Sequence, residues 1–355
     1  MNIVLLTFSY NKTGGIEQVA KDIYNSLESI HQTRVISIDE VSQKFKNRLL
    51  NKIYRKIFLK KDINKMIESH SPDFIISLHP FLLDFFNFKK YSDKTVCWVH
   101  GIDVFGANGL KVKDNLEKCK RVVSVSTFTK NHLIEELNYQ NNIDVINNCV
   151  NLDIFKYQDY KKENSDFKLL TVGRLSSSEQ YKGHDLVIKA LAKITNQEQN
   201  ISYSIVGDGD DIERLKKLAK EYSVEKFVEF KGKLPFSDIL KSYKQCDVFI
   251  MPSFFEKKAD GTYTGEGFGI VYIEAGAIGR AVIGCNIGGQ KDCIIDDYNG
   301  KLVKPTVEDV ADKILYFLNN KDKVTEMGKN NRKLVEEKFS FEIFRKNVLN
   351  LIESL

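Results

Sequence analysis

A chain of 355 residues with 42% hydrophobic and 28% charged positions has ordinary globular composition and is longer than a single hydrophobic core usually grows, which predicts two domains. The formal net charge of +5 is too small and too dispersed to argue for nucleic acid, but it suits anionic small molecules or an acidic membrane surface. Six cysteines (Cys97, Cys119, Cys149, Cys246, Cys285, Cys293) lack metal-type spacing, and several lie in apolar runs, so they read as reduced, buried thiols of a cytoplasmic chain.

The opening "NIVLLTFS" is too short for a membrane span and lacks the basic start and cleavage site of a signal peptide, so it reads as a first buried strand. Further apolar runs follow in chain order: "RVISI", "DFIISLH", "TVCWVH", "RVVSVS" and "IDVINN", with helical patterns such as 15–30 and 127–137 between them. The second half repeats the plan with "KLLTVGRL", "SYSIVGD", "KFVEFKG", "DVFIMPS", "AVIGCN" and "GKLVK". Continuous rather than alternating apolar strands predict parallel sheets covered on both faces, hence two doubly wound α/β domains. The hinge is expected at 151–166, where periodicity is lost, giving domains 1–158 and 159–340. Three helical patterns follow Pro305, and the last, 341–355, is expected to pack back on the first domain. Ligands of open α/β sheets bind beyond the carboxyl ends of the strands, so two such domains facing each other imply a deep cleft.

Chemistry-bearing residues fall at those strand ends. Gly14 and Gly15 close the first strand's loop and open a helix, an arrangement that serves anions and equally describes a tight turn. Three-glycine spacing is absent, which counts against a nicotinamide enzyme. His100 ends "TVCWVH", with Asp103 close behind to orient it or simply to begin the next segment. Arg174 closes a strand and Lys182 precedes a helix, where a cation is disfavoured unless an anion lies between the two. In "GEGFGIVYIEAGAIGRAV", Glu266 lies in a glycine loop and Glu274 about one turn into the following helix, roughly 6 Å further along. Between them the amides of Phe268, Gly269 and Ile270 face outward at the positive end of the helix dipole. An anionic centre flanked by two polyol rings, a nucleotide sugar, fits that spacing, because each carboxylate accepts charge-assisted hydrogen bonds from vicinal hydroxyls. "DGDD" at 208–211 falls in a strand-to-helix turn, where Asp and Gly serve as turn and N-cap residues, so no metal is expected there.

Residues 44–65 are densely basic, with Phe45, Leu49, Ile53 and Ile57 at four-residue spacing. That pattern reads as an interfacial helix on an anionic leaflet or as a basic helix packed on the first sheet.

Together these motifs resemble the GT-B-fold retaining glycosyltransferases of family 4. "EGFGIVYIEAGAIGRAVIGCNIGG" is similar to that family's E-G-F-G-x-x-x-x-E-A-x-A-x-G pattern, supported by "GGIEQVAKDI", "VSVSTFTKNHL", "VINNCVNLDIF", "VGRLSSSEQYKGHDLVIKAL" and "IVGDGDDIERLKKLA". The resemblance implies two Rossmann-like domains, an acceptor-side one and a nucleotide-sugar donor-binding one. Arg174 and Lys182 would hold the diphosphate; Glu266 with Gly267, Phe268, Gly269 and Ile270 the hexose; Glu274 the ribose. His100 would lie beside the donor sugar and Gly15 on the phosphate side, with 228–230 and "KGKLP" bracketing the base. Cys149 stands where the family often has glycine. The implied activity is metal-independent, cofactor-free hexosyl transfer with retention, to a glycan or lipid-linked oligosaccharide of surface polysaccharide assembly, by a cytoplasmic enzyme peripheral on the inner membrane face. A GT-B-fold nucleotide-sugar 2-epimerase and a non-catalytic sugar-nucleotide binding subunit are the competing readings.

Overall fold

The computed structural model describes residues 1–12, 14–43, 48–159, 166–195 and 198–355, apart from the side chains of 48–50 and 53. By internal contacts the chain forms two units, one of residues 1–148, 259–263 and 341–355, the other of 149–258 and 264–340.

The first unit holds a six-stranded parallel sheet: β1 (Asn2–Thr7), β2 (Gln32–Ser37), β3 (Phe74–Ser77), β4 (Thr95–Val99), β5 (Arg121–Ser124) and β6 (Ile143–Val145), in the order β2-β1-β3-β4-β5-β6. Leu5 of β1 pairs with Val35 on one side and Ile76 on the other, and Ile3 to Leu6 are fully buried, as a strand covered on both faces requires. Chain direction through the sheet reverses beside β1, making a crevice at the carboxyl ends of β1 and β3. The helix Phe341–Glu353 lies in this unit against the helix Gly15–Leu27, with Arg345 donating to Ser29 Oγ at 3.2 Å.

The second unit holds β7 (Phe167–Val172), β8 (Ile201–Val206), β9 (Val228–Gly232), β10 (Val248–Ile250), β13 (Ala281–Cys285) and β14 (Gly300–Val303). Their order, β14-β13-β10-β7-β8-β9, is that of a doubly wound dinucleotide-type sheet, with its switch point between β7 and β10. Val187, Leu191, Val310 and Ile314, on the helices His184–Ile194 and Val307–Asn319, are fully buried, each worth roughly 1.5–3 kcal/mol of transfer free energy. Between β10 and β13 a short ribbon of β11 (Glu256–Lys257) and β12 (Tyr263–Thr264) forms where the sequence showed only loop composition. Its tip belongs to the first unit: Gly261 O accepts from Ala107 N at 3.1 Å, and the Tyr263 ring meets His132 edge-on at 5.4 Å.

Two expectations change. The boundary falls after Asn148 rather than after residue 158, because 149–158 bond into the second unit: Val150 N donates to Phe339 O at 2.9 Å and Gln158 N to Ile278 O at 3.2 Å. Residues 160–165 of the expected hinge lie outside the described residues. The basic stretch is not one helix but two, Arg48–Ile57 and Leu59–His70, joined at Phe58 and tied by Tyr54 Oη donating to Asp62 at 2.6 Å. The apolar stripe packed into the core is Leu59, Ile63 and Ile67, whereas Ile57 is 61% exposed; Phe45 and the side chains of Leu49 and Ile53 lie outside the described residues. All six cysteines are buried, Cys149 among them. Among the described residues no helix is long and apolar enough to cross a membrane.

Candidate active site

At the switch point of the second sheet, β7 hands over to Gly173 and Arg174, then to a short 3-10 turn, Ser177–Lys182. Ser176 caps the turn by accepting from Ser178 N, and the backbone leaves helical dihedrals at Glu179 (φ −117°, ψ 29°). This corner turns Glu179 back between the two cations the sequence singled out. The Arg174 guanidinium donates to Glu179 Oε1, and Lys182 Nζ lies 3.4 Å from Oε2. The anion inferred between Arg174 and Lys182 is therefore, in the free protein, a side chain of the same loop. Lys182 is largely buried while Arg174 is 79% exposed, and the lysine stem passes over Gly173, 3.7 Å from where a Cβ would stand.

Glu266 reaches the same cluster. Burial pushes its pKa up, the Lys182 ammonium pulls it down, Glu179 pushes it up and Arg174 pulls it down. Its Oε2 is occluded and finds no hydrogen-bond partner, an expensive arrangement unless a ligand hydroxyl completes it. The loop carrying Glu266 is held by the turn after β13. Gly289 N donates to Glu266 O at 2.8 Å, and a Cβ on Gly289 would stand 1.9 Å from Gly267 O, so only glycine lets the two backbones meet. Gly269 occupies the left-handed region (φ +92°) at the N-cap of the helix Ile270–Ile278. Beyond it the first helical amides have no intrahelical acceptor and stand at the positive end of the dipole. Phe268 itself turns inward, edge-on to Phe339 at 5.8 Å, so its contribution to a ligand is its backbone.

Ile270, Val271 and Glu274 form the half-buried face of that helix, whose remaining residues are buried. Glu274 Oε2 accepts from Tyr243 Oη at 2.7 Å; burial raises its pKa and the tyrosine bond opposes that rise. The second glutamate of an apolar run is thus met by a fully buried tyrosine from the helix Phe236–Gln245. The same apolar run ends in a charge the sequence reading passed over. Arg280 is 2% exposed, and its guanidinium donates to Tyr243 O and Lys244 O at 3.1 and 2.7 Å. Gln290, also unflagged, donates to Ser253 O at 2.5 Å and leaves Oε1 unpartnered beside Gly288. No spacing rule links Glu179, Tyr243 or Arg280 to the glutamates, although Gln290 next to the glycine pair at the end of β13 carried a positional signal.

The first unit holds His100 and Gly15. The His100 ring donates through Nε2 to Leu78 O at 2.9 Å, leaving Nδ1 as an acceptor. Burial lowers its pKa against the opposing pull of Asp103, which favours the neutral ring. Asp103 does not orient the ring; its carboxylate accepts from the amides of His100 at 3.0 Å and Gly101 at 2.7 Å, fixing the turn. Gly15 opens the first helix, and Glu17 Oε2 lies 2.2 Å from the Cβ position of Gly14.

The "DGDD" carboxylates are engaged otherwise. Asp210 accepts from Ser177 N and Oγ at 2.8 and 2.7 Å, and Asp211 accepts from Arg214 Nε at 2.6 Å. Asp211 stands at the N-cap position but makes no capping bond, because Arg214 engages its carboxylate. Among the described residues no three His, Cys, Asp or Glu side chains are grouped to hold a metal.

Residues 153–334 match the family described as glycosyl transferases group 1, and residues 13–154 match glycosyltransferase family 4. An uncharacterised glycosyltransferase of Methanocaldococcus jannaschii is 26% identical over 378 aligned positions, covering 100% of this chain and 99% of the relative. A GDP-mannose-dependent alpha-(1-6)-phosphatidylinositol monomannoside mannosyltransferase of Mycobacterium tuberculosis is 32% identical over 166 residues, 46% of this chain and 42% of its own. The fold is similar to that of Anabaena HepE, solved in complex with UDP and glucose, with a TM-score of 0.79 at 18% identity over 100% of both chains. With two doubly wound sheets, and with the glutamate loop and its paired cations at the switch point of the second, the chain belongs to the group 1 glycosyl transferases of family 4 and has their two-domain GT-B fold.

Proposed function

We propose that this transferase moves a hexose from a nucleotide-sugar donor to a hydroxyl of a glycan acceptor with retention of anomeric configuration and without a metal. One observation carries the reading: the occluded, unpartnered Oε2 of Glu266 stands beside Lys182 and Arg174 at the strand ends where α/β sheets bind nucleotides. Arg174, Lys182 and the first amides of the helix Ile270–Ile278 receive the diphosphate and offset the charge that builds on it as the sugar C1–oxygen bond breaks. The bonding pair leaves with the phosphate oxygen. The acceptor oxygen then bonds to C1 on the same face, and its proton passes to that departing oxygen. Glu266 accepts hydrogen bonds from hexose hydroxyls, Glu274 from the ribose, and the backbone of 228–230 borders the base. The roles that the resemblance gives His100 and Gly15 belong to the same proposal. GDP-mannose in the name of the mycobacterial relative and UDP with glucose in the HepE crystal support a nucleotide-sugar donor.

A panel of UDP-, GDP- and ADP-sugars tests the reading by thermal shift. At 100-fold excess over Kd the matching donor adds about 2.7 kcal/mol, a rise on the order of 4 °C for a chain of 355 residues. A flat response across the panel would reject the donor site. NMR of the product's anomeric proton then decides retention, and an unchanged rate in chelator decides metal independence.

The acceptor is proposed to be lipid-linked, reached from the cytoplasmic face of the membrane. Lys56, Lys60 and Lys61 surround the exposed Ile57 and Phe58, and three lysines near an anionic surface contribute about 3 kcal/mol. The protein is expected to co-sediment with phosphatidylglycerol vesicles but not with neutral ones, and to lose that binding when Ile57 and Phe58 are both changed to serine. Equal sedimentation with both vesicle types, or no effect of the double change, refutes membrane docking at this corner.

A further inference from the structure

The donor-binding reading leaves one group unexplained. Glu179 brings a negative charge to the place where a diphosphate is expected, next to a second acid, Glu266. Its side chain is only 13% exposed and engages both cations at once, through Oε1 with Arg174 and at 3.4 Å from Oε2 with Lys182. Yet Oε2 is occluded and makes no hydrogen bond, so the carboxylate is paired by charge but incompletely satisfied. The backbone at the same residue interrupts the 3-10 turn, with Ser176 capping one side and Gly183 (φ +77°) ending the other. The corner can therefore redirect its side chain without unwinding either turn.

We propose that Glu179 is a resident counter-anion: it occupies the diphosphate seat between Arg174 and Lys182 in the donor-free protein and is displaced when the donor binds. The inference rests on the donor-binding reading above. Two cations and Glu179 leave the seat with one net positive charge, and an ionised Glu266 cancels that. An incoming diphosphate of two or more negative charges brings more Coulombic attraction to the cations than a single carboxylate, and it repels Glu179 from the seat. The same repulsion works on the product side. A spent nucleoside diphosphate, no longer tied to the hexose, competes with a carboxylate that never leaves the loop, so Glu179 sets how weakly the product is held.

Isothermal titration of UDP, GDP and ADP into the whole wild-type chain and into Glu179→Gln tests this. The amide keeps the shape and removes the charge, and thermal melting verifies that the variant is folded; Glu179→Ala serves as the second variant. The diphosphate that the wild type binds is expected to bind both variants on the order of tenfold tighter, with the gain shrinking as salt is raised. The corresponding nucleoside, which lacks phosphate, is expected to bind all three proteins alike. Equal or weaker diphosphate binding by the variants, with wild-type binding intact, overturns the proposal and makes Glu179 a fixed support for Lys182. If no protein of the set binds any diphosphate, the donor reading itself falls and this inference with it.

Discussion

Replacement of Lys182 by alanine is expected to lower kcat/KM by about a thousandfold or more while leaving the melting temperature within a few degrees, as befits a group aimed at charge that develops only during reaction. Lys182 outranks Arg174 in this respect. Its ammonium is largely withdrawn from water over Gly173, where its field is poorly screened, whereas Arg174 is mostly solvated. Without the lysine, Glu179 and Glu266 lose their shared buried cation. The larger of the two pulls that oppose the burial-driven rise of the Glu266 pKa is then gone, so Glu266 keeps its proton to higher pH than in the wild type. A protonated Glu266 no longer offers two acceptors to a sugar. Residual activity of Lys182→Ala should therefore rise with pH over a range shifted upward from the wild-type profile. Steady-state rates as a function of pH, with circular dichroism to verify folding, check both parts. Transfer at the wild-type rate would remove Lys182 from the chemistry.

Arg280→Met is expected to act on the fold instead, costing about 3–5 kcal/mol of stability. The methionine fills similar space, but at the end of the helix Phe236–Gln245 it removes the donor of Lys244 O and leaves Tyr243 O to the weak Cys246 Sγ donor at 3.3 Å. A guanidinium at a helix C-terminus is also favoured by the macrodipole, a contribution that methionine lacks. Gln158 O, 3.2 Å from the same guanidinium, loses its partner as well. Since Tyr243 is the residue that meets Glu274, weakened donor affinity should accompany the lower stability. Urea unfolding with and without donor measures the two effects separately. A midpoint unchanged within the equivalent of 1 kcal/mol would mean that these carbonyls do not depend on Arg280.

The basic stretch shows what pattern reading leaves open. Of Phe45, Leu49, Ile53 and Ile57 at four-residue spacing, Ile57 is the one whose side chain is described, and it is exposed, while the next helix buries Leu59, Ile63 and Ile67. Periodicity identifies a face that can be buried, but it does not say which of two adjacent faces the sheet will cover. The unit boundary shows the same limit. Residues 149–158 lack helix or strand periodicity but are held by Val150 N to Phe339 O and Gln158 N to Ile278 O, bonds between backbones that leave no mark on side-chain composition.

By itself the sequence determined the strands of the two main sheets, their parallel pairing and the positions of the cations and glutamates, because continuous apolar runs, glycine turns and strand-end charges are local properties. The parallel order of the second sheet was equally constrained by its alternation of strand and helix, which forces crossovers and sets a switch point. Only the tertiary structure decided that Glu179 stands between Arg174 and Lys182, that Tyr243 meets Glu274 and that Arg280 satisfies a helix end. Tyr243 and Glu274 are 31 positions apart, and Arg280 and Lys244 are 36 apart. Partnerships of that kind depend on which helices and loops pack side by side, and packing in three dimensions, not residue type or spacing, decides that.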